Sequence, residues 1–144
     1  MKSISKEQID RAFENSLARL SILHHISIYD MTVSIRFFEK GESLLQLCSR
    51  GVVKKEISFQ ELFNNQLLSL RFSVAQIEKL FKVVHTAFMF QTHLKNPPQI
   101  SLLYYFSKKV SCPCLGIMQD EQPIKVLMLS RIIEAIEMES EQLN

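Results

Sequence analysis

The stretch VSCPCLG, residues 110–116, is the first place to look for chemistry. Cys112 and Cys114 flank Pro113, and a third thiol, Cys48, stands alone in LLQLCSRG. Two close thiols supply at most half of a tetrahedral zinc site, which needs four ligands usually delivered as two pairs. The remaining candidates are Cys48, His24, His25, His85 and His93. None stands at a recognised ligand spacing, although His85 and His93 are about two helical turns apart. A redox dithiol is normally C-x-x-C at a helix N-terminus, where the dipole lowers the thiol pKa. Here the spacing is one residue, and a disulfide across it would be strained. The reading is therefore structural: Pro113 rigidifies a bend, and the cysteines are compact side chains leading into a strand. No metal and no cofactor is expected.

Other catalytic patterns are missing. Gly41, Gly51 and Gly116 are isolated, so there is no phosphate-cradling loop, and no G-x-S-x-G, H-E-x-x-H or Walker pattern occurs. Glu134, Glu137, Glu139 and Glu141 have the spacing of a solvated helix face. An enzyme would have to gather Cys48 or Cys112 with a histidine in space; we expect none. For nucleic acid, the possible footprint is Arg50, Lys54 and Lys55, with Lys108 and Lys109 beside Tyr104, Tyr105 and Phe106. Lys108, Lys109 and Tyr105 could hold phosphates and stack a base, although LLYYFSKK reads more simply as a buried strand with a basic end in water.

The elements that would position these groups follow from periodicity. Apolar Ile9, Phe13, Leu17, Leu20 and Leu23 recur at helical spacing after Ser5, whose pairing with Gln8 has capping-box spacing. In MTVSIRF, Met31, Val33, Ile35 and Phe37 alternate with Thr32, Ser34 and Arg36, the pattern of a strand with one wet face. EKGES turns the chain, and LLQLCSR and VVKKEISF read as two more strands joined near Arg50-Gly51. Ser58 with Glu61 and Ser73 with Gln76 mark two further helix starts. Pro97 and Pro98 end the second of these helices. ISLLYYFS, apolar on both faces, predicts a central strand, and CLGIM a shorter one. IKVLML, residues 124–129, admits either a strand followed by a helix from Ser130 or one helix from Pro123; completing the sheet favours the strand.

The chain is thus expected to be one α+β domain over residues 1–144. Its order is N-terminal helix, three-stranded antiparallel meander, long central helix, two or three further strands and C-terminal helix. Its 144 residues, 47% hydrophobic and 22% charged, suit one globular domain with no evident repeat or linker. A net charge of +2 gives no reason to expect nucleic acid or a membrane surface. With no apolar run of signal-peptide or membrane-spanning length and an odd number of cysteines, a soluble cytoplasmic protein is expected.

The central helix is more apolar than one core-facing stripe requires. Val83, Val84, Phe88, Met89 and Phe90 widen it, which predicts a surface for self-association or for a partner segment. The order of elements, taken over the strand set 31–59, the helix 74–94 and the end segment 100–142, resembles that of small dimeric chaperones of bacterial type III secretion effectors. That resemblance implies a homodimer holding a partner's segment extended on its surface. The mild basic charge and the additional helix 59–70 depart from that family, and an inhibitor or immunity protein fits the same features. The expectation is a non-enzymatic protein-interaction module, homodimeric, with a partner protein bound through Val83, Val84, Phe88, Met89 and Phe90.

Overall fold

The structure, a computed structural model, describes residues 4–38, 40–64, 72–89 and 99–134. The chain runs through α1 (Lys6–His24), β1 (Met31–Phe37), β2 (Ser43–Ser49), β3 (Val52–Ile57) and α2 (Phe59–Phe63). It continues through α3 (Val74–Met89), β4 (Ile100–Ser107), β5 (Cys112–Gln119) and β6 (Gln122–Met128), and residues 129–134 open a C-terminal helix, α4. This is the expected single α+β domain, and 124–129 resolves as strand then helix. The remainder of the segment 59–70, the end of the 74–94 helix with Phe90, and the chain beyond 134 lie outside the described residues.

Caps fix the helix starts. Ser5 and Gln8 exchange both bonds of a capping box, as do Ser73 and Gln76, and Ser58 accepts from the Glu61 N–H. His25 ends α1 in the left-handed conformation, φ 56°. Ile9, Phe13, Leu17 and Leu20 of α1 are buried as expected, but Leu23 is exposed. The last turn of α1 overhangs the core, where Leu23 lines a surface hollow with Gln60 and Asn64.

The six strands form one antiparallel sheet in the order β3-β2-β1-β4-β5-β6. The described helices all send side chains to the same face of it. Phe13 of α1, Phe63 of α2 and Phe81 of α3 surround Tyr104 of β4 with ring centroids 5.7–6.3 Å away. Leu129 and Ile133 of α4 join the same core. Three buried polar groups tie the layers: Tyr104 Oη donates to the Phe13 carbonyl at 2.6 Å, Ser16 Oγ to the Leu62 carbonyl at 2.9 Å, and His85 Nε2 to the Ile100 carbonyl at 3.0 Å. Because a carbonyl only accepts, the last bond requires a proton on Nε2.

The strand order hides a repeat that the residues do not announce. Helix, three strands and helix occur twice, and β1 pairs antiparallel with β4 at the centre. The strands therefore have the order and directions of a two-fold axis through the β1–β4 pair. The two outer hairpins match in detail. Arg50-Gly51 and Asp120-Glu121 are two-residue turns with φ 50°, 81° and 49°, 69°, the positive values of a type I′ turn. A bulge follows at Lys54 in one hairpin and at Ile124 in the other. Beyond it Lys55 and Lys125, opposite Leu47 and Ile117, sit on the core face of the two edge strands. Bulges and inward lysines are devices that discourage edge-to-edge association. Lys55 reaches Glu61 at 3.8 Å, and Lys125 lies 6.0 Å from the Phe88 ring centroid.

Candidate functional site

The thiols come first. The bend expected at Pro113 is not there: Cys112, Pro113 and Cys114 are the first three residues of β5, facing Ser107, Phe106 and Tyr105 of β4. Ser111, at φ 52°, takes the turn instead. Pairing with β6 begins only at Cys114, so Pro113 lies where β5 has one paired neighbour and a missing N–H is tolerated. All three cysteines are free and buried. Burial, with Cys112 beside it, pushes the Cys114 thiol up to about 12, and burial also raises Cys48. Neither holds the thiolate that nucleophilic or redox work requires at neutral pH. His85 is committed to the Ile100 carbonyl, and His93 lies outside the described residues. Among the described residues no three His, Cys, Asp or Glu side chains assemble into a metal-ligand set.

The basic and aromatic groups are redistributed. Lys108 does not join Tyr105; its ammonium stands 5.0 Å from the Tyr29 ring centroid, and Tyr29 meets Phe106 edge-on. Tyr105 lies on the sheet face away from the helices, its ring packed over Gly116. Arg50 pairs with Asp30 at 3.3 Å.

The helix residues expected to bind a partner divide. Val83 is 58% exposed, between Lys79 and Lys82 on an apolar strip of α3 that includes Ala87. Val84, Phe88 and Met89 are half-buried and pack against the core, which explains much of the apolar excess of α3. Of the described four, only Val83 is exposed.

The sheet's outer face, opposite the helices, carries the signal that periodicity missed. One row runs across all six strands in register: Glu56, Gln46, Ser34, Leu103, Gly116, Val126. Its first half is polar and its second half has no polar side chain. The neighbouring row continues the second half with Tyr105, Cys114 and Met128. Val126 is 53% exposed, and the bulge residue Ile124 beside it is also exposed. An antiparallel sheet with one wet face normally alternates apolar and polar side chains. Strand β1 does so; β5 and β6 do not, and β4 does so only at its ends, Ser101 and Ser107. Among the described residues no helix lies over this face, and β6 leaves its outer edge open. The clue was present in ISLLYYFS and CPCLGIM, which lack the polar alternation of MTVSIRF, but a strand apolar on both faces reads equally as one buried between two layers.

An open hollow of about 530 Å³ lies between the start of α3 and the β3–α2 junction, with Glu56 and Glu78 on its walls. It gathers no histidine, cysteine or cation. No helix among the described residues is long and apolar enough to cross a membrane. The chain matches no family model, and comparison with curated proteins and with solved structures finds no relative of it.

Proposed function

We propose that the protein is a non-enzymatic interaction module, an adaptor, chaperone or inhibitor in kind, that receives a segment of a partner protein on the apolar half of its outer sheet face. One observation carries this reading: Leu103, Gly116 and Val126 stand at the two-fold-related positions of Ser34, Gln46 and Glu56. On this outer face one half is polar and the other apolar: Leu103 is half-buried, Gly116 is buried beneath the Tyr105 ring, and Val126 is exposed. The exposed Val126 and Ile124 at the margin of this half support a site of association there. The open β6 edge beside it offers backbone groups to an extended segment, while alternate side chains of that segment would lie beside Val126 and Met128. Val83 on α3 offers a second, smaller apolar contact. Self-association through the same sheet face is the homodimeric form of this reading.

The test uses substitutions that leave the core intact. Phe88→Asp is unsuitable because Phe88 packs inside, whereas Val126 and Val83 are exposed. Wild-type protein purified gently from its own source is expected to carry a stoichiometric partner or a second copy in native mass spectrometry. Val126→Glu should remain folded and lose it. A folded Val126→Glu variant that retains the same assembly overturns the sheet-face reading, and the same result with Val83→Asp removes α3 from the interface.

A further inference from the structure

The two-fold strand arrangement provides its own control for reading charge. At one end of the sheet three loops meet: residues 25–30 before β1, the turn Arg50-Gly51, and the turn 108–111 between β4 and β5. Contacts tie them together, Arg50 to Asp30 and Lys108 to Tyr29. Their cations are Arg50, Lys108 and Lys109, and Asp30 is their one carboxylate. Each loop, or the strand start beside it, also exposes an apolar side chain: Tyr29 at 56%, Val52 at 57% and Val110 at 51%. At the opposite end, the turns 38–42 and 120–121 carry the carboxylates Glu42, Asp120 and Glu121 against the single cation Lys40 among the described residues. The backbone plan is repeated, but the charge is reversed.

We infer that the 25–30, 50–52 and 108–111 end docks on an anionic lipid surface. Tyr29, Val52 and Val110 enter the headgroup boundary, and Lys108, Lys109 and Arg50 meet the lipid phosphates and carboxylates. Combining exposed apolar side chains with cations is the arrangement that binds an anionic interface, where neither contribution alone suffices. Tyrosine is favoured at that depth. The three loops stand at the same end of adjacent strands, so one surface can meet all of them. Nucleic acid fits less well, because the exposed Val52 and Val110 have no role against a phosphate backbone. The net charge of +2 conceals this end because the opposite end balances it. The inference is independent of the protein-binding surface, which lies on the sheet face and the β6 edge.

Sedimentation with vesicles tests it. The full chain is expected to pellet with vesicles of equimolar phosphatidylcholine and phosphatidylserine, to stay in solution with phosphatidylcholine alone, and to release as salt rises. Lys108→Gln and Lys109→Gln should each weaken binding roughly fivefold, and Val110→Ser should weaken it further. Asp120→Asn, at the opposite end, should leave it unchanged. These turn residues are exposed, and circular dichroism of each variant is the check that it is folded. Absence of pelleting with the anionic vesicles overturns the inference, as does pelleting that the turn variants do not alter. Binding to single-stranded nucleic acid through Lys108 and Lys109 without vesicle binding overturns it in favour of nucleic acid.

Discussion

The β2–β3 and β5–β6 hairpins share a two-residue turn, a bulge at the same place and a lysine turned inward beyond it. Their outer faces nonetheless differ: Gln46 and Glu56 in the first occupy the places of Gly116 and Val126 in the second. The shared features are those that set hairpin length, twist and edge protection, and they constrain the backbone. The differing features lie on the outer face, over which no described helix packs, and at the edge-strand positions Glu56 and Val126, both exposed, stability places little demand on side-chain polarity. An apolar row there is not needed for the fold, since its counterpart does without one. That contrast is why the second half, and not the first, is assigned the binding surface.

Exchanging the two characters is the strongest way to break the comparison. Val126→Glu gives the second half the polarity of the first, and a tenfold or greater loss of partner affinity or dimerisation is expected, because a carboxylate would be buried without a partner. Glu56→Val gives the first half the polarity of the second and should leave that affinity within a factor of about two, surface substitutions being worth roughly 0.5 kcal/mol or less. Titration calorimetry or equilibrium sedimentation reads both. Equal losses from the two variants would mean that the interface spans the whole sheet.

The cysteines sharpen the same contrast in stability. Cys48 and Cys114 share one row of the outer face, separated by Thr32 and Tyr105. Cys114 is fully buried beside Tyr105 and Met128, whereas Cys48 is 8% exposed beside the exposed Val53 on its edge strand. Cys114→Ser should cost about 1–3 kcal/mol, the penalty for burying a hydroxyl without a good partner. Cys48→Ser should cost less, because its hydroxyl can reach water. Urea denaturation compares them, and equal costs would show that the second half is no more tightly covered than the first.

Much of this was legible in the sequence. The alternating strand β1 and the three capping serines follow from alternation and spacing, because period-two burial and N-cap chemistry are local properties, whereas residues 124–129 admit a helix as readily until the sheet is seen to need them. The bend at Pro113 was misread because proline usually interrupts pairing, and only the end of β6 at Met128, a partner distant in sequence, shows that this position lacks a second neighbour. The repeat was invisible for a related reason. Over the matched hairpins only Leu45 with Leu115 and Lys55 with Lys125 keep the same residue type, so the likeness resides in hydrogen-bond register. The apolar excess of α3 was legible, but its use was not: Val84, Phe88 and Met89 look inward, and spacing alone cannot say how many sides of a helix are covered.

The helix ties of the two halves differ in chemistry, which gives pH a way to separate them. Ser16 of α1 reaches α2 through a hydroxyl that does not titrate, whereas His85 holds α3 to β4 through an imidazole. Burial lowers His85 below its ordinary 6.5, and the bond to Ile100 only partly opposes this. As pH falls through about 6.5 the unfolded chain takes up the proton first. Stability present above that pH is therefore lost below it. Asp10 acts in the opposite sense at lower pH: burial raises it above 3.8, so the folded chain binds that proton first. Urea midpoints should decline from neutral to mildly acidic pH in the wild type. His85→Gln should be less stable at neutral pH and show a flatter profile; an unchanged slope would place the titration elsewhere.

The smallest effect expected is at the two turns. Gly51 accepts φ 81° without cost, whereas Glu121 occupies the matching position at φ 69° with a side chain attached. Left-handed backbone costs an L-residue roughly 1–2 kcal/mol, and a glycine there returns about 0.5–1 kcal/mol of that to the unfolded chain's entropy. Glu121→Gly should therefore stabilise the protein by roughly 0.5–1 kcal/mol, and Gly51→Glu should destabilise it by a similar amount. Because the two hairpins share turn type and length, the pair of variants isolates the backbone contribution from everything the outer faces do. If Glu121→Gly gives no gain, the side chain of Glu121 must supply a compensating interaction at the acidic end of the sheet, and Glu121→Ala, which removes that side chain but keeps the strained backbone, should then be the least stable of the three.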